Sequence, residues 1–121
     1  MQVLKQLDAV TTELAGVLHR SAPLETWART RLAAMYAPDG TVGGHDYDYH
    51  LADGSVNRSV SPPAADRQLI RSLTERHWRL TQDLGQPRWY KMIVTVERNG
   101  KFKVDFEYKD DYKEGDIMQR G

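Results

Sequence analysis

The sequence predicts an α+β domain in which two helices pack on an antiparallel sheet of four to five strands, in the order α-β-β-(β)-α-β-β. Two stretches carry apolar residues at helical spacing. Between and after them, apolar and polar residues alternate with the period of a strand. A chain of 121 residues has room for one hydrophobic core, so we expect a single domain over residues 1–121.

Each predicted helix is recognised by one apolar stripe. The first is predicted over residues 2–20, where Val10, Leu14 and Val17 share a face. The second is predicted over residues 63–84, which a glycine follows directly. A helix more often covers its own sheet than a partner, so we expect both stripes to face the core.

The first strands are read from alternation and from context. Residues 27–36 are ambiguous, because their alanines favour a helix while the turn signal at residues 38–40 favours a strand. We interpret them as a strand, since a clear strand follows. In that second strand, tyrosines alternate with aspartates from Asp46 to Tyr49, which gives it one acidic face. Residues 56–60 can add a short further strand.

The last two strands form a predicted hairpin over residues 88–108. A two-residue loop would divide the apolar side chains between two faces of the hairpin. A three-residue loop, with Gly100 in the left-handed region, brings them onto one face. The pairs predicted by this second register are Val96 with Phe102, Val94 with Val104, Met92 with Phe106, and Tyr90 with Tyr108.

Charge and cysteine content exclude several classes of protein. The 17 basic residues balance the 17 acidic ones, so net charge favours neither nucleic acid nor a membrane surface as a partner. The absence of cysteine excludes disulfides and thiolate chemistry and fits a reducing compartment. Charged residues interrupt the apolar pattern of the first helix, which is unlike a signal peptide or a membrane span. We therefore expect a cytoplasmic protein.

One cluster, formed by His45, Asp46, Asp48 and His50, has the residue types of a metal site. On a strand, the last three would share a face. No motif with a fixed ligand spacing accompanies them, and a solvated polar face explains the same residues. We therefore expect no metal ligand, no cofactor and no catalytic residue. Two alternatives stay open: a small metal-dependent enzyme that uses these four residues, and a structural subunit that oligomerises through the outer face of the hairpin.

The end of the chain is locally acidic. Six acidic residues lie between Asp105 and Asp116, against Lys109 and Lys113. We expect residues 109–121 to form an acidic tail that is free to move. Such runs of charge are usually solvated, and a role in binding is equally compatible with this one.

A longer pattern extends from Trp89 to Asp111. It consists of Trp89, the strand Met92-Ile93-Val94, the turn Gly100-Lys101-Phe102, the strand Val104-Asp105-Phe106-Glu107-Tyr108, and Asp110-Asp111. This pattern resembles the C-terminal signature of the YezG-like immunity proteins. The order of the elements before it also agrees with that family.

The resemblance implies a cytoplasmic immunity protein that binds and blocks the toxic C-terminal domain of a secreted bacterial effector. The family is linked to nuclease toxins in particular, and deaminase and NAD-degrading toxins are compatible as well. The partner would be a protein, without direct contact to nucleic acid or membrane and with the oligomeric state left open. Carboxylates can stand where phosphates would stand in a basic groove, and exposed tyrosines can serve as anchors. The residues expected to bind the toxin are Asp46, Tyr47, Asp48, Tyr49, Asp105, Glu107, Asp110, Asp111, Tyr112, Glu114 and Asp116.

Overall fold

A computed structural model describes residues 2–37, 42–83, 85 and 89–108 of the chain. These residues form two helices and five strands in the predicted order, which confirms the α+β class. The elements are α1 (Gln2–Arg20), β1 (Trp27–Tyr36), β2 (Val42–Leu51), β3 (Val56–Asn57), α2 (Ala64–Asp83), β4 (Trp89–Glu97) and β5 (Phe102–Tyr108).

The five strands form one sheet in the order β3-β2-β1-β4-β5, and every neighbouring pair is antiparallel. The ambiguous stretch at residues 27–36 is a strand, as its context predicted, and it lies at the centre of the sheet. β1 is buried on both faces from Leu32 to Tyr36. Small and apolar side chains suit such a position, which explains the alanines that locally favour a helix.

Both helices pack on one face of the sheet, so the molecule has two layers. α1 contributes Leu14 and Leu18 to the core, and α2 contributes Ile70 and Trp78. The side chains that meet them from the sheet are Leu32, Ala34, Tyr36, Tyr47, Tyr49, Trp89, Met92, Val94 and Val96. The predicted apolar stripes therefore face the sheet, as expected. In the described part of the chain, no helix is long and apolar enough to cross a membrane.

The turn between β4 and β5 has the predicted three-residue form. Glu97 N–H donates to the carbonyl of Lys101 at 2.8 Å, and Gly100 N–H donates back to Glu97 at 2.9 Å. Gly100 has a φ of 93°, a left-handed conformation that glycine adopts without a steric penalty. The observed pairs are Val96 with Phe102, Val94 with Val104 and Met92 with Phe106, so the predicted register is confirmed over these pairs.

The hairpin differs from the prediction at its open end and in its burial. The register shifts between Trp89 and Lys91, so Tyr108 pairs with Trp89 and not with Tyr90. The extra residue in β4 is a β-bulge, which turns Trp89 toward the core and Tyr90 toward the other face. Phe102 is 39% exposed, whereas we expected the whole apolar row to be buried. β5 is an edge strand, and the helices cover it incompletely.

Candidate functional site

The second face of the sheet carries no helix among the described residues, and we call it the open face. Alternation along the strands brings charged residues to this face around a few apolar ones. The side chains of the open face are Arg29, Arg31, Ala33, Met35, Asp46, Asp48, His50, Tyr90, Lys91, Ile93, Thr95, Glu97, Lys103, Asp105 and Glu107.

Ion pairs connect most of the carboxylates of the open face to neighbouring cations. Asp48 accepts from Arg31 at 3.3 Å and from Arg58, which follows β3, at 3.2 Å. Arg29 pairs with Glu97 at 3.1 Å. In the predicted acidic row of β2, the charge of Asp48 is therefore compensated by two arginines.

The carboxylates of β5 differ in how firmly they are held. Glu107 accepts a 2.6 Å hydrogen bond from the Tyr90 hydroxyl and lies 3.8 Å from the ammonium group of Lys91. Asp105 lies 3.9 Å from Lys103, and both of these side chains are mostly exposed. Such an exposed pair contributes little binding energy, so Asp105 is largely available to a partner.

Asp46 and Asp105 lie on one row that crosses the sheet. Asp46 pairs with Ala33, Ala33 pairs with Ile93, and Ile93 pairs with Asp105. The two aspartates are three strand spacings apart, which is about 14 Å. Among the described residues no cation forms an ion pair with Asp46, and its side chain is exposed. We call the row formed by Asp46, Ala33, Ile93 and Asp105 the acid-ended row.

A groove of about 330 Å³ lies beside the acid-ended row on the open face. Ala33 and Met35 are part of its lining and are only 8% and 9% exposed, because longer charged side chains surround them. Arg31, Asp48 and Arg58 form part of its rim. An apolar centre with a charged rim is typical of a surface that binds another protein.

Tyr47 and Tyr49 do not lie on the open face, so the prediction that they are exposed anchors is wrong. They are 8% and 0% exposed, and both belong to the core beneath the helices. Burial raises the pKa of both phenols, that of Tyr49 to about 12. The alternation that brings Asp46 and Asp48 to one face necessarily sends the tyrosines to the other. The aromatic side chain on the open face is Tyr90, which the sequence assigned to the opposite face because the bulge was not recognised.

The remaining predicted toxin-binding residues lie outside the described residues. These are Asp110, Asp111, Tyr112, Glu114 and Asp116. Their chain continues from Tyr108, at the end of the edge strand.

The proposed metal cluster is divided between the two faces of the sheet. His45 faces α2, where its Nε2 lies 2.9 Å from the Thr74 hydroxyl and its ring meets Tyr36 edge-on. Burial, with a smaller effect from Arg71, lowers the pKa of His45 to about 4. Asp46 and Asp48 lie on the open face, so the four residues cannot converge on one ion. Within the described residues, no group of three histidine, cysteine or acidic side chains is placed to hold a metal.

A second histidine anchors α2 to the hairpin. His77 Nδ1 accepts a 3.1 Å hydrogen bond from the Trp89 indole, and its ring stacks on Phe106. The Trp78 indole donates to the carbonyl of Trp89 at 3.0 Å. Burial lowers the pKa of His77 to about 4, so this imidazole is neutral at pH 7. Hydrogen bonds with His77 and Trp78 of α2 therefore hold Trp89 in place at the β-bulge.

One family model matches the part of the chain that contains this hairpin. Residues 63–120 match the family model described as "Immunity protein YezG-like". The resemblance to the YezG-like family is confirmed. No curated protein matches the chain.

The YezG-like match covers α2, β4 and β5, and therefore one half of the open face. It includes Asp105 and Glu107, as well as the acidic residues that follow β5. Immunity proteins typically act by binding, and not by catalysis.

Proposed function

We propose that this protein is a bacterial antitoxin of the cytoplasm, which binds a cognate secreted toxin domain and neutralises it without catalysis or a cofactor. The observation that carries the proposal is the YezG-like match over residues 63–120. We further propose that the toxin acts on nucleic acid or a nucleotide, because the exposed Asp46 and Asp105, with the acidic residues that follow β5, are complementary to a phosphate-binding groove.

The acid-ended row is proposed as the centre of the toxin contact. Asp46 and Asp105 would meet two basic side chains about 14 Å apart, a separation of three strand spacings. Ala33 and Ile93 would pack on an apolar part of the toxin between them. Apolar contact at the centre and charge at the rim is the usual division in protein interfaces, where charge mainly sets specificity and association rate.

Asp48 and Glu107 contribute to the same surface in a different way. Arg31 and Arg58 hold the first carboxylate, and Tyr90 and Lys91 hold the second. Carboxylates that are already positioned lose little side-chain entropy when a partner binds. We propose that the tail residues Asp110, Asp111, Tyr112, Glu114 and Asp116 also bind the toxin.

The first test measures toxin binding by an Asp46→Lys variant. The probe is the cognate toxin domain, purified in a catalytically inactive form. We expect slower association and weaker salt dependence, because the Debye length is about 8 Å at physiological ionic strength. The matched control is Glu13→Lys, an exposed carboxylate on α1 away from the open face. Equal association rates for wild type and Asp46→Lys at low and high salt would contradict the proposed contact.

The second test concerns the tail and uses the double variant Asp110→Lys with Asp111→Lys. We expect it to associate more slowly with the toxin and to protect toxin-producing cells less well, while its unfolding midpoint stays close to that of wild type. A solvated tail without a role would leave binding and protection unchanged. If the purified chain bound no toxin and protected no cells, the antitoxin function itself would be refuted.

A further inference from the structure

Among the described strands, β5 lies at one edge of the sheet. In the described part of the chain, β4 pairs with one side of β5 and no strand pairs with the other. Phe102 and Tyr108, at its two ends, are 39% and 38% exposed. A strand with this much exposed backbone and apolar surface offers a template for pairing with another chain.

The hairpin register fixes which backbone groups of β5 point outward. Glu97 and Lys101 exchange a hydrogen bond at the turn, so hydrogen-bonded pairs recur at every second residue from there. Lys103, Asp105 and Glu107 consequently direct their N–H and C=O groups toward β4. Those of Phe102, Val104 and Phe106 point away from the sheet. A strand that pairs with this edge must form its hydrogen bonds with the N–H and C=O groups of these three residues.

The side chains of β5 are ordered so that the strand is complementary to itself. On the open face, Lys101 and Lys103 precede Asp105 and Glu107. We propose that β5 pairs antiparallel with β5 of a second copy of this chain, with Val104 of each copy at the two-fold axis. Lys103 then lies opposite Asp105 of the second copy, and Lys101 opposite its Glu107. The helix-side face matches as well, since Phe102 lies opposite Phe106 of the second copy.

Charge selects this register over its neighbours. Centring the pair on Phe102 would place Lys101 opposite Lys103 of the second copy, and centring it on Phe106 would oppose Asp105 and Glu107. Both arrangements put like charges together, which destabilises a cross-strand pair. Centring it on Lys103 or Asp105 would still bring the outward backbone groups together, but it would place that charged residue opposite its own copy. Of these registers, only the one centred on Val104 places every charged side chain opposite one of the other sign.

Charged side chains on an edge strand normally prevent such pairing. Here the single intrachain contact of Lys103 with Asp105, at 3.9 Å and largely exposed, holds these charges only weakly. Pairing would give each of them an opposite charge directly across the seam. The dimer would have one continuous sheet of ten strands, with the helices of both copies on the same side.

The experiment is sedimentation of the full chain over a range of concentrations, without toxin. We expect wild type to form a dimer. Lys103→Asp and Asp105→Lys each place two like-charged pairs at the seam, so each is expected to dimerise at least about tenfold more weakly. The decisive sample is an equimolar mixture of the two variants. In that mixture every pair again has opposite charges, so a heterodimer is expected. The double variant, with both changes in one chain, is expected to dimerise like wild type.

Asp46→Lys is the control, because it reverses an exposed charge three strands away and should leave dimerisation unchanged. Melting curves show whether each variant is folded. A monomeric wild type at all concentrations would overturn the proposal, and so would single variants that dimerise as well as the mixture. The proposal does not depend on the antitoxin function, since a chain that binds toxin as a monomer would refute only the dimer.

Discussion

At the scale of single residues, position in the sheet decides how much a side chain contributes to stability. Val94 and Val104 pair with each other across the hairpin, so their backbone settings are similar. Val94 is fully buried beneath the helices, whereas Val104 lies half-buried on the edge strand. The two valines therefore form a matched pair in which burial is the main difference.

We predict that Val94→Ala lowers the free energy of unfolding by about 2–3 kcal/mol, through lost transfer energy and a residual cavity. Val104→Ala should cost about 1 kcal/mol or less, because solvent already reaches this side chain. Urea denaturation of the two variants provides the comparison. Equal losses would mean that β5 is covered as completely as β4.

The same scale shows what alternation in a sequence can and cannot predict. It correctly separated Asp46 and Asp48 from the tyrosines of β2, and burial of the apolar row could have been read from it. We predicted exposed tyrosines because tyrosine is common in interfaces. The alternation places both tyrosines on the core side of β2, where they are buried. Trp89 and Tyr90 changed places because a β-bulge has no local sequence signal of comparable strength.

At the scale of the elements, the glycines of α1 and of the hairpin turn test two opposite backbone effects. Gly16 lies in the middle of α1, and a Cβ there would meet no atom within 4 Å. Gly100 has equally open surroundings but a φ of 93°. Space is available at both positions, so only the backbone conformation distinguishes them.

We predict that Gly16→Ala raises the free energy of unfolding by about 0.5–1 kcal/mol, because alanine loses less entropy in a helix. Gly100→Ala should lower it by about 1–2 kcal/mol, because the left-handed conformation is strained for alanine. Thermal unfolding monitored by circular dichroism measures both. Destabilisation by Gly16→Ala would indicate that the exposed side of α1 is less open than the structure describes.

The elements also differ in how far the sequence determines them. The hairpin register could be predicted because the turn geometry and the side-chain alternation act within twenty residues. β1 needed context, since its alanines are neutral in a strand that is buried on both faces. Its pairing with β4 joins residues far apart in the chain, and no local pattern specifies that pairing. The compensation of Asp48 by Arg31 and Arg58 could not be predicted for the same reason.

At the scale of the whole molecule, the two layers divide the chemistry between two faces. The helix side holds the core, the buried His77 and the half-buried His45, and the open face holds the charged rows. Charged residues of the open face can therefore be substituted with little effect on the stability of the core. The sequence predicted two layers and the positions of the acidic residues, whereas the choice of a toxin as partner came from the family resemblance.

Two histidines at the contact between α2 and the sheet make the stability of the protein depend on pH. His45 and His77 both lie at this contact, and burial lowers the pKa of each to about 4 from an ordinary value of 6.5. The unfolded chain therefore binds more protons than the native protein below pH 6.5. Stability is fully present above that pH and falls as the pH decreases toward 4. One pKa unit corresponds to about 1.4 kcal/mol, so His77 alone should contribute roughly 2–3 kcal/mol to this loss.

The variant His77→Gln isolates this effect from the titration of carboxylates. Glutamine can still accept the hydrogen bond from Trp89 but cannot take up a proton in this pH range. Urea denaturation at pH 7, 6, 5 and 4 should show a smaller loss of stability for the variant than for wild type. Between pH 7 and 8 the difference between the two proteins should stay constant, because the histidine is neutral in both states. If both lost stability equally down to pH 4, protonation of His77 would not be coupled to unfolding, and the acid sensitivity would belong to other groups.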